Sequence, residues 1–141
     1  MITPIIGKEF AGKVIPLIKS AQKTIDIIVY DWRFYPDQIG SEIQRFNQAL
    51  IKANRMNIKI RAVTNSFSTI SVFKKQKVQM KKPFTKGLMH TKLMIIDNEI
   101  AILGSHNYTM NAFTINNEVS VIIRDKEAVE RLKKYFNNMW Q

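Results

Sequence analysis

The chain of 141 residues carries 22 Lys and Arg against 11 Asp and Glu, a formal net charge of +11, and it has no cysteine. The cysteine count excludes a disulfide scaffold, a Cys-ligated zinc site and a thiol nucleophile. The charge favours a polyanionic partner, either nucleic acid or an anionic membrane surface.

The length suits one domain over residues 1–141 with a sizeable core. The first residues, MITPIIGKEFAG, lack the apolar stretch of a secretory signal. No apolar run reaches membrane-spanning length. The default expectation is therefore a cytoplasmic chain without stable membrane association, or a secreted or periplasmic one if a leader was trimmed.

Ile2 to Ile6 reads as an edge strand. Phe10, Val14, Leu17, Ile18 and Ala21 follow helical spacing, and Pro16 predicts a kink or two short helices. Thr24 to Tyr30 suits a buried central strand. Asp31-Trp32-Arg33-Phe34 follows at its C-terminal end, where open α/β sheets place ligands. Trp32 is expected in the core; Arg33 either meets a phosphate or is simply solvated.

Pro36-Asp37 opens a helix with Asp37 as N-cap and an apolar stripe of Ile39, Ile43, Phe46, Leu50 and Ala53. Residues 57–63 alternate as a half-buried strand, and 66–73 fits a short helix or a crossover. From Phe73 to Lys86 a lysine-rich run leads into the next segment, so Lys82 and Lys86 are candidates for a phosphate-tracking rim.

His90 to Asn107 concentrates the chemistry. Asp97-Asn98 has two-residue-turn character between two β-rich runs, Leu88–Ile96 and Glu99–Gly104. That turn would pair Ile96 with Glu99, Lys92 with Leu103 and His90 with Ser105. His90 and Lys92 then share one face, with Ser105 opposite and Asn107 following. Asp97 is about 16 Å along the strand from Lys92 and reads as a turn and structural residue. Residues 117–123 form another strand, and Asp125 caps a last helix with Ala128, Leu132, Tyr135 and Met139 on one face.

Lys92 and Asn107 suit phosphate oxygens and are poor company for a divalent cation. Neither a metal nor another cofactor is called for. His90 is the nucleophile candidate, because a neutral imidazole attacks and a protonated one donates. Glu118 is the natural acceptor for its other ring nitrogen. His106 points away and is structural or on the surface.

The segment resembles the phospholipase D signature H-x-K-x4-D-x6-G-S-x-N, with His90, Lys92, Asp97, Gly104, Ser105 and Asn107 filling every fixed position and Asn117-Glu118 at the place of a downstream Asn-Glu element. The order of elements is similar to that of the short, single-motif nucleases of this superfamily. The resemblance implies an α/β domain with a central mixed sheet flanked by helices on both faces. It also implies a phosphohistidine intermediate, with one histidine attacking and a second acting as general acid. Since the chain has one motif, it implies a homodimer in which His90, Lys92 and Asn107 of each copy build one site, with Ser105 and Glu118 in support and Gly104 and Asp97 structural.

The expected activity is metal-independent cleavage of nucleic acid, DNA and also RNA, with little sequence preference. Two alternatives stand beside it: phospholipid head-group hydrolysis or transfer, and nucleic-acid binding without turnover.

Overall fold

The computed structural model describes all residues from Met1 to Gln141. Seven strands form one sheet: β1 (Ile2–Ile6), β2 (Thr24–Val29), β3 (Lys59–Thr64), β4 (Gln79–Lys81), β5 (Lys92–Ile96), β6 (Ile100–Gly104) and β7 (Val119–Ile123). Their spatial order is β1-β7-β6-β5-β2-β3-β4. The pairs β2–β3 and β3–β4 are parallel and the other four antiparallel, so the sheet is mixed. Five helices accompany it: α1 (Glu9–Lys19), α2 (Glu42–Arg55), α3 (Phe67–Lys75), α4 (Met110–Thr114) and α5 (Lys126–Trp140).

Alternation along β2 explains the two layers of core. Ile25, Ile27 and Val29 join the larger cluster, where Phe10, Phe46, Tyr108 and Phe113 bring in α1, α2 and α4. Ile28 faces the other way, into a smaller cluster with Leu93, Ile95, Ala101, Val129 and Phe136 under α5. A central strand buried on both faces is necessarily rich in β-branched residues. Full burial of a side chain such as Phe46 contributes about 1.5–3 kcal/mol.

Asp26 breaks the apolar run and is fully buried. Its carboxylate meets Arg61 Nε at 3.1 Å and Lys133 Nζ. Arg61 in turn lies over the rings of Phe136 and Trp140. A lone buried carboxylate would be costly, and two cations with a hydrogen bond each compensate it.

Several local expectations change. Pro16 lies inside one continuous helix rather than dividing two, and the buried stripe Phe10, Val14 and Ile18 holds that helix on the core. Ser41, not Asp37, caps α2, its hydroxyl accepting from Gln44 N at 3.3 Å. Ile39 consequently lies before the helix and is exposed, while Ile43, Phe46, Leu50 and Ala53 are buried as the stripe requires. The lysine-rich run is divided among α3, the short strand β4 and a loop, with Phe73 in the core and Phe84 fully exposed. Asp125 does cap α5, accepting from Ala128 N at 2.9 Å. The buried face of α5 carries Val129 and Phe136, with Leu132 and Met139 beside them; Tyr135 is turned toward solvent.

The central hairpin is one residue out of the expected register. Asp97 and Asn98 both take positive φ, 54° and 55°, and Glu99 N donates to Ile96 O at 3.0 Å. Glu99 is nevertheless left outside the ladder, and Ile96 pairs with Ile100 and Leu93 with Leu103. Asp97 N is already taken by Thr24 O at 2.8 Å, which ties the turn to β2 rather than leaving it a free two-residue loop.

Candidate active site

The motif residues gather at the end of β5 and β6 remote from the Asp97 turn. His90 lies in extended chain just before β5, not within a strand, and is exposed. Lys92 opens β5. Lys92 Nζ stands 2.9 Å from His90 Nδ1 and 3.3 Å from Nε2. An ammonium can only donate, so this contact requires the neutral imidazole. The His90 ring packs against Tyr30, with centroids 4.7 Å apart, and Lys92 Nζ lies 5.7 Å from the same Tyr30 ring. Burial lowers the Lys92 pKa from its ordinary 10.5, and the negative charge of Glu118 partly opposes that shift.

Ser105 does not lie across from His90: the observed register, with Leu93 opposite Leu103, runs on to set Ser105 against Thr91, one residue short of that position. It continues along β7: Ser105 N donates to Val119 O at 3.0 Å, and Ser105 Oγ donates to Glu118 Oε1 at 2.5 Å. Glu118 Oε2 accepts from Asn116 Nδ2 at 3.2 Å. Glu118 is thus held by Ser105 and Asn116, while the ring nitrogens of His90 face Lys92; the expected hydrogen bond from a His90 ring N–H to Glu118 within one chain is not made. Asn107 Oδ1 accepts from Asp31 N at 3.1 Å. With the amide oxygen committed there, its NH2 group is the part left to serve an anion.

The other fixed positions have clear physical reasons. Asp97 accepts from Gln22 N, Lys23 N and Thr24 N at 2.8, 2.7 and 3.0 Å, clamping the entry to β2. At Gly104 a Cβ would come within 2.4 Å of Ser120 Cα and 2.5 Å of Val119 O, so only glycine allows β6 to approach β7 this closely. His106 is buried, with Nε2 donating to Gly7 O at 2.9 Å, Nδ1 accepting from Ser120 Oγ at 2.7 Å, and its ring stacked on Phe10. Burial lowers its pKa. It is a core residue of the face opposite α5.

A groove of about 440 Å³ opens on the site, lined by His90, Lys92, Gly104, Ser105, Leu132 and Tyr135 among others. Tyr135 Oη is 2.6 Å from Thr91 Oγ1, tying α5 to the segment between His90 and Lys92. Tyr30, Thr91 and Tyr135 are site neighbours that sequence reasoning missed; only Tyr30, at the C-terminal end of a buried strand, carried a signal. Arg33 lies apart, its Nε bonded to Asp31 Oδ1 at 2.8 Å. Lys82 and Lys86 are exposed in the loop leading to His90. No helix is long and apolar enough to cross a membrane.

A family model described as cardiolipin synthase, PLD-like domain, matches residues 14–140. The chain belongs to this phospholipase D-like family, whose members are phosphodiesterases. Among curated relatives, the human mitochondrial cardiolipin hydrolase is 25% identical over 141 residues, covering 96% of this chain and 52% of the relative. A probable cardiolipin synthase of Bacillus subtilis is 41% identical over 58 residues, 41% of this chain and 12% of that protein. The chain thus spans about half the length of the cardiolipin hydrolase it matches.

In architecture the chain resembles the short endonucleases of the superfamily. NucT from Helicobacter pylori superposes with a TM-score of 0.82 at 24% identity, covering 99% of this chain and 94% of that one. Nuc from Salmonella typhimurium, described as a phospholipase D family member, gives 0.81 at 20% identity, covering 99% and 95%. The mixed sheet with helices on both faces is the fold of these proteins.

Proposed function

We propose that this chain is a metal-independent phosphodiesterase that cleaves nucleic acid, DNA and also RNA, with little sequence preference, at a site completed by a second copy of the chain. The observation that carries this reading is the pairing of the Lys92 ammonium with the His90 imidazole in an open groove. The pair supplies a cation for the phosphate and a neutral nucleophile beside it. The net charge of +11 favours a polyanion as the substrate.

In this mechanism a phosphate entering the groove takes Lys92 and the Asn107 NH2 group as oxyanion partners, releasing the imidazole. A ring nitrogen of His90 attacks phosphorus, and the bond from phosphorus to the leaving oxygen breaks. The leaving oxygen receives a proton from the imidazolium of the second copy. That imidazole, now neutral, takes a proton from water, whose oxygen displaces His90 and regenerates it. Ser105 and Asn116 hold Glu118 beside Lys92.

Support for a second copy comes from the sheet. Leu103 pairs with Val121 and so shares its face with Val121, Val119 and Ile123; Ile6, Pro4 and Ile2 pair with Val119, Val121 and Ile123. This is the face that α5 covers over β2, β3 and β6. Over β7 and β1 it is uncovered, leaving Ile2, Ile6 and Val119 exposed at 64%, 60% and 56%. An apolar sheet face that continues from the catalytic groove suits an isologous contact, in which the same patch meets itself.

The deciding experiment is cleavage of plasmid DNA and of RNA in EDTA by the wild type and by His90→Ala. Nicking by the wild type alone is the expected result; equal nicking by the variant removes His90 as nucleophile. A phospholipid head-group hydrolase is the second reading, favoured by the sequence similarity to a cardiolipin hydrolase. Release of phosphatidic acid from cardiolipin vesicles, with intact plasmid, would select it.

A further inference from the structure

A second groove of about 400 Å³ is lined by Tyr30, Asp31, Arg33, Asn65, Ser66 and Phe67 among others. It lies at the C-terminal ends of the parallel strands β2 and β3 and shares the Tyr30 ring with His90. Its floor is fixed. Ser66 Oγ donates to Asp31 Oδ1 at 3.2 Å, and Asn65 Nδ2 donates to Tyr30 O and Met89 O at 3.2 and 3.0 Å. Asp31 N is the donor that orients Asn107, so one hydrogen bond ties this groove to the motif.

Two exposed side chains stand on that floor. The Arg33 side chain is 58% exposed, and Asp31 holds only its Nε. Phe67, the first residue of α3, is 68% exposed. A phenyl ring placed in water beside a cation forgoes the burial that would stabilise it in the core. Lys82 Nζ approaches the ring to 5.6 Å, leaving a basic, aromatic rim.

We propose that this groove is a binding subsite for an unpaired nucleotide next to the scissile phosphate, with the base stacked on Phe67 and the adjoining phosphate held by Arg33 and Lys82. This rests on the phosphodiesterase reading above and adds a preference for single strands. Bases in a duplex are stacked on their own neighbours and present no free face to Phe67, whereas an unpaired base does. Stacking is indifferent to base identity, which fits low sequence preference. The basic rim favours a nucleotide over an acyl chain, because a ligand that stacks and carries a phosphate uses both groups.

The test measures fluorescence anisotropy of the full chain, in a His90→Ala background, with a short labelled single strand and with the matching blunt duplex. Phe67→Ala is expected to lower the ratio of single-strand to duplex affinity about tenfold. Phe67→Leu, which keeps apolar bulk without the ring, is expected to lower it similarly, and Phe67→Trp to restore it. Thermal unfolding of each variant shows that the chain is folded. A ratio within about twofold of the parent for Phe67→Ala, or full retention by Phe67→Leu, overturns the subsite. So does a Phe67→Ala variant that keeps oligonucleotide affinity but loses cosedimentation with phosphatidylcholine–cardiolipin vesicles. Failure of the phosphodiesterase reading shows separately, as wild type that leaves plasmid intact while the anisotropy ratio still depends on Phe67.

Discussion

The ammonium of Lys92 stands 2.9 Å from Nδ1 of His90, and Glu118 is the anion whose charge acts on that ammonium. Desolvation lowers the Lys92 pKa and Glu118 raises it, the first effect being the larger. Phosphate binding needs the protonated amine, so kcat/KM for a phosphodiester should fall at high pH, on a limb below the ordinary lysine value of 10.5. Glu118→Gln removes the opposing charge and lets the pKa drop further. Its alkaline limb is therefore expected at lower pH than that of the wild type, read from a pH profile of kcat/KM. An unshifted or raised limb would separate Glu118 from Lys92. Lys92→Ala should cost about 10²–10³ in kcat, the usual effect of deleting an oxyanion donor.

Gly104 gives a prediction about stability rather than chemistry. A methyl group there would sit within 2.4 Å of both Ser120 Cα and Ser120 Oγ. The backbone of β7 cannot rotate away as a side chain can, so β6 and β7 must separate. Gly104→Ala should destabilise the fold by about 1–3 kcal/mol or more, the scale of core overpacking. Urea unfolding followed by circular dichroism measures it; a wild-type midpoint would mean that the two strands have slack.

The motif at positions 90–107 was legible because its residue types are specific and its turn chemistry is strong: Asp97 and Asn98 do take the left-handed conformation that such a turn demands. The register was not, because Asp97 N is drawn to Thr24 O, a partner on another strand. The consequence reached the site, since Ser105 moved from His90 to Glu118. Pairings across long sequence distances were equally hidden. Asp26 reads as a flaw in an apolar strand until Arg61 and Lys133, 35 and 107 residues away, close on it. At α2 the sequence reading put the cap at Asp37, and the packed stripe, which begins only at Ile43, sets it at Ser41 instead. Periodicity marked the individual strands and helices, while their layering about one mixed sheet was what the family resemblance implied.

His106 links folding to pH. Burial lowers its pKa below the ordinary 6.5, with the bond to Gly7 O and the charge of Glu118 opposing that shift. Above 6.5 the ring is neutral in folded and unfolded chains alike, and its contribution is complete. As pH falls below 6.5, the unfolded chain takes up a proton that the folded chain resists. Stability is thus lost between 6.5 and the lower folded-state pKa. Urea midpoints should decline over that interval in the wild type. His106→Gln should be less stable near neutrality, having lost the stack on Phe10, and should show a shallower decline. An equal slope in both proteins would assign the acid sensitivity to other groups.

The uncovered sheet face can be tested apart from the chemistry. Ile6 and Val119 are paired in neighbouring strands, both exposed, and Val119 directly follows Glu118. If two copies meet there, four charges introduced by Ile6→Lys with Val119→Lys would face one another across the two-fold axis. Desolvating them would cost more than the apolar contact supplies. Sedimentation velocity should show a dimer for the parent chain and a monomer for the double variant, with cleavage reduced to the level of His90→Ala. Neither substitution touches the core, so circular dichroism should remain that of the folded chain. A variant that is monomeric and still fully active would mean that one imidazole, not two, carries the reaction.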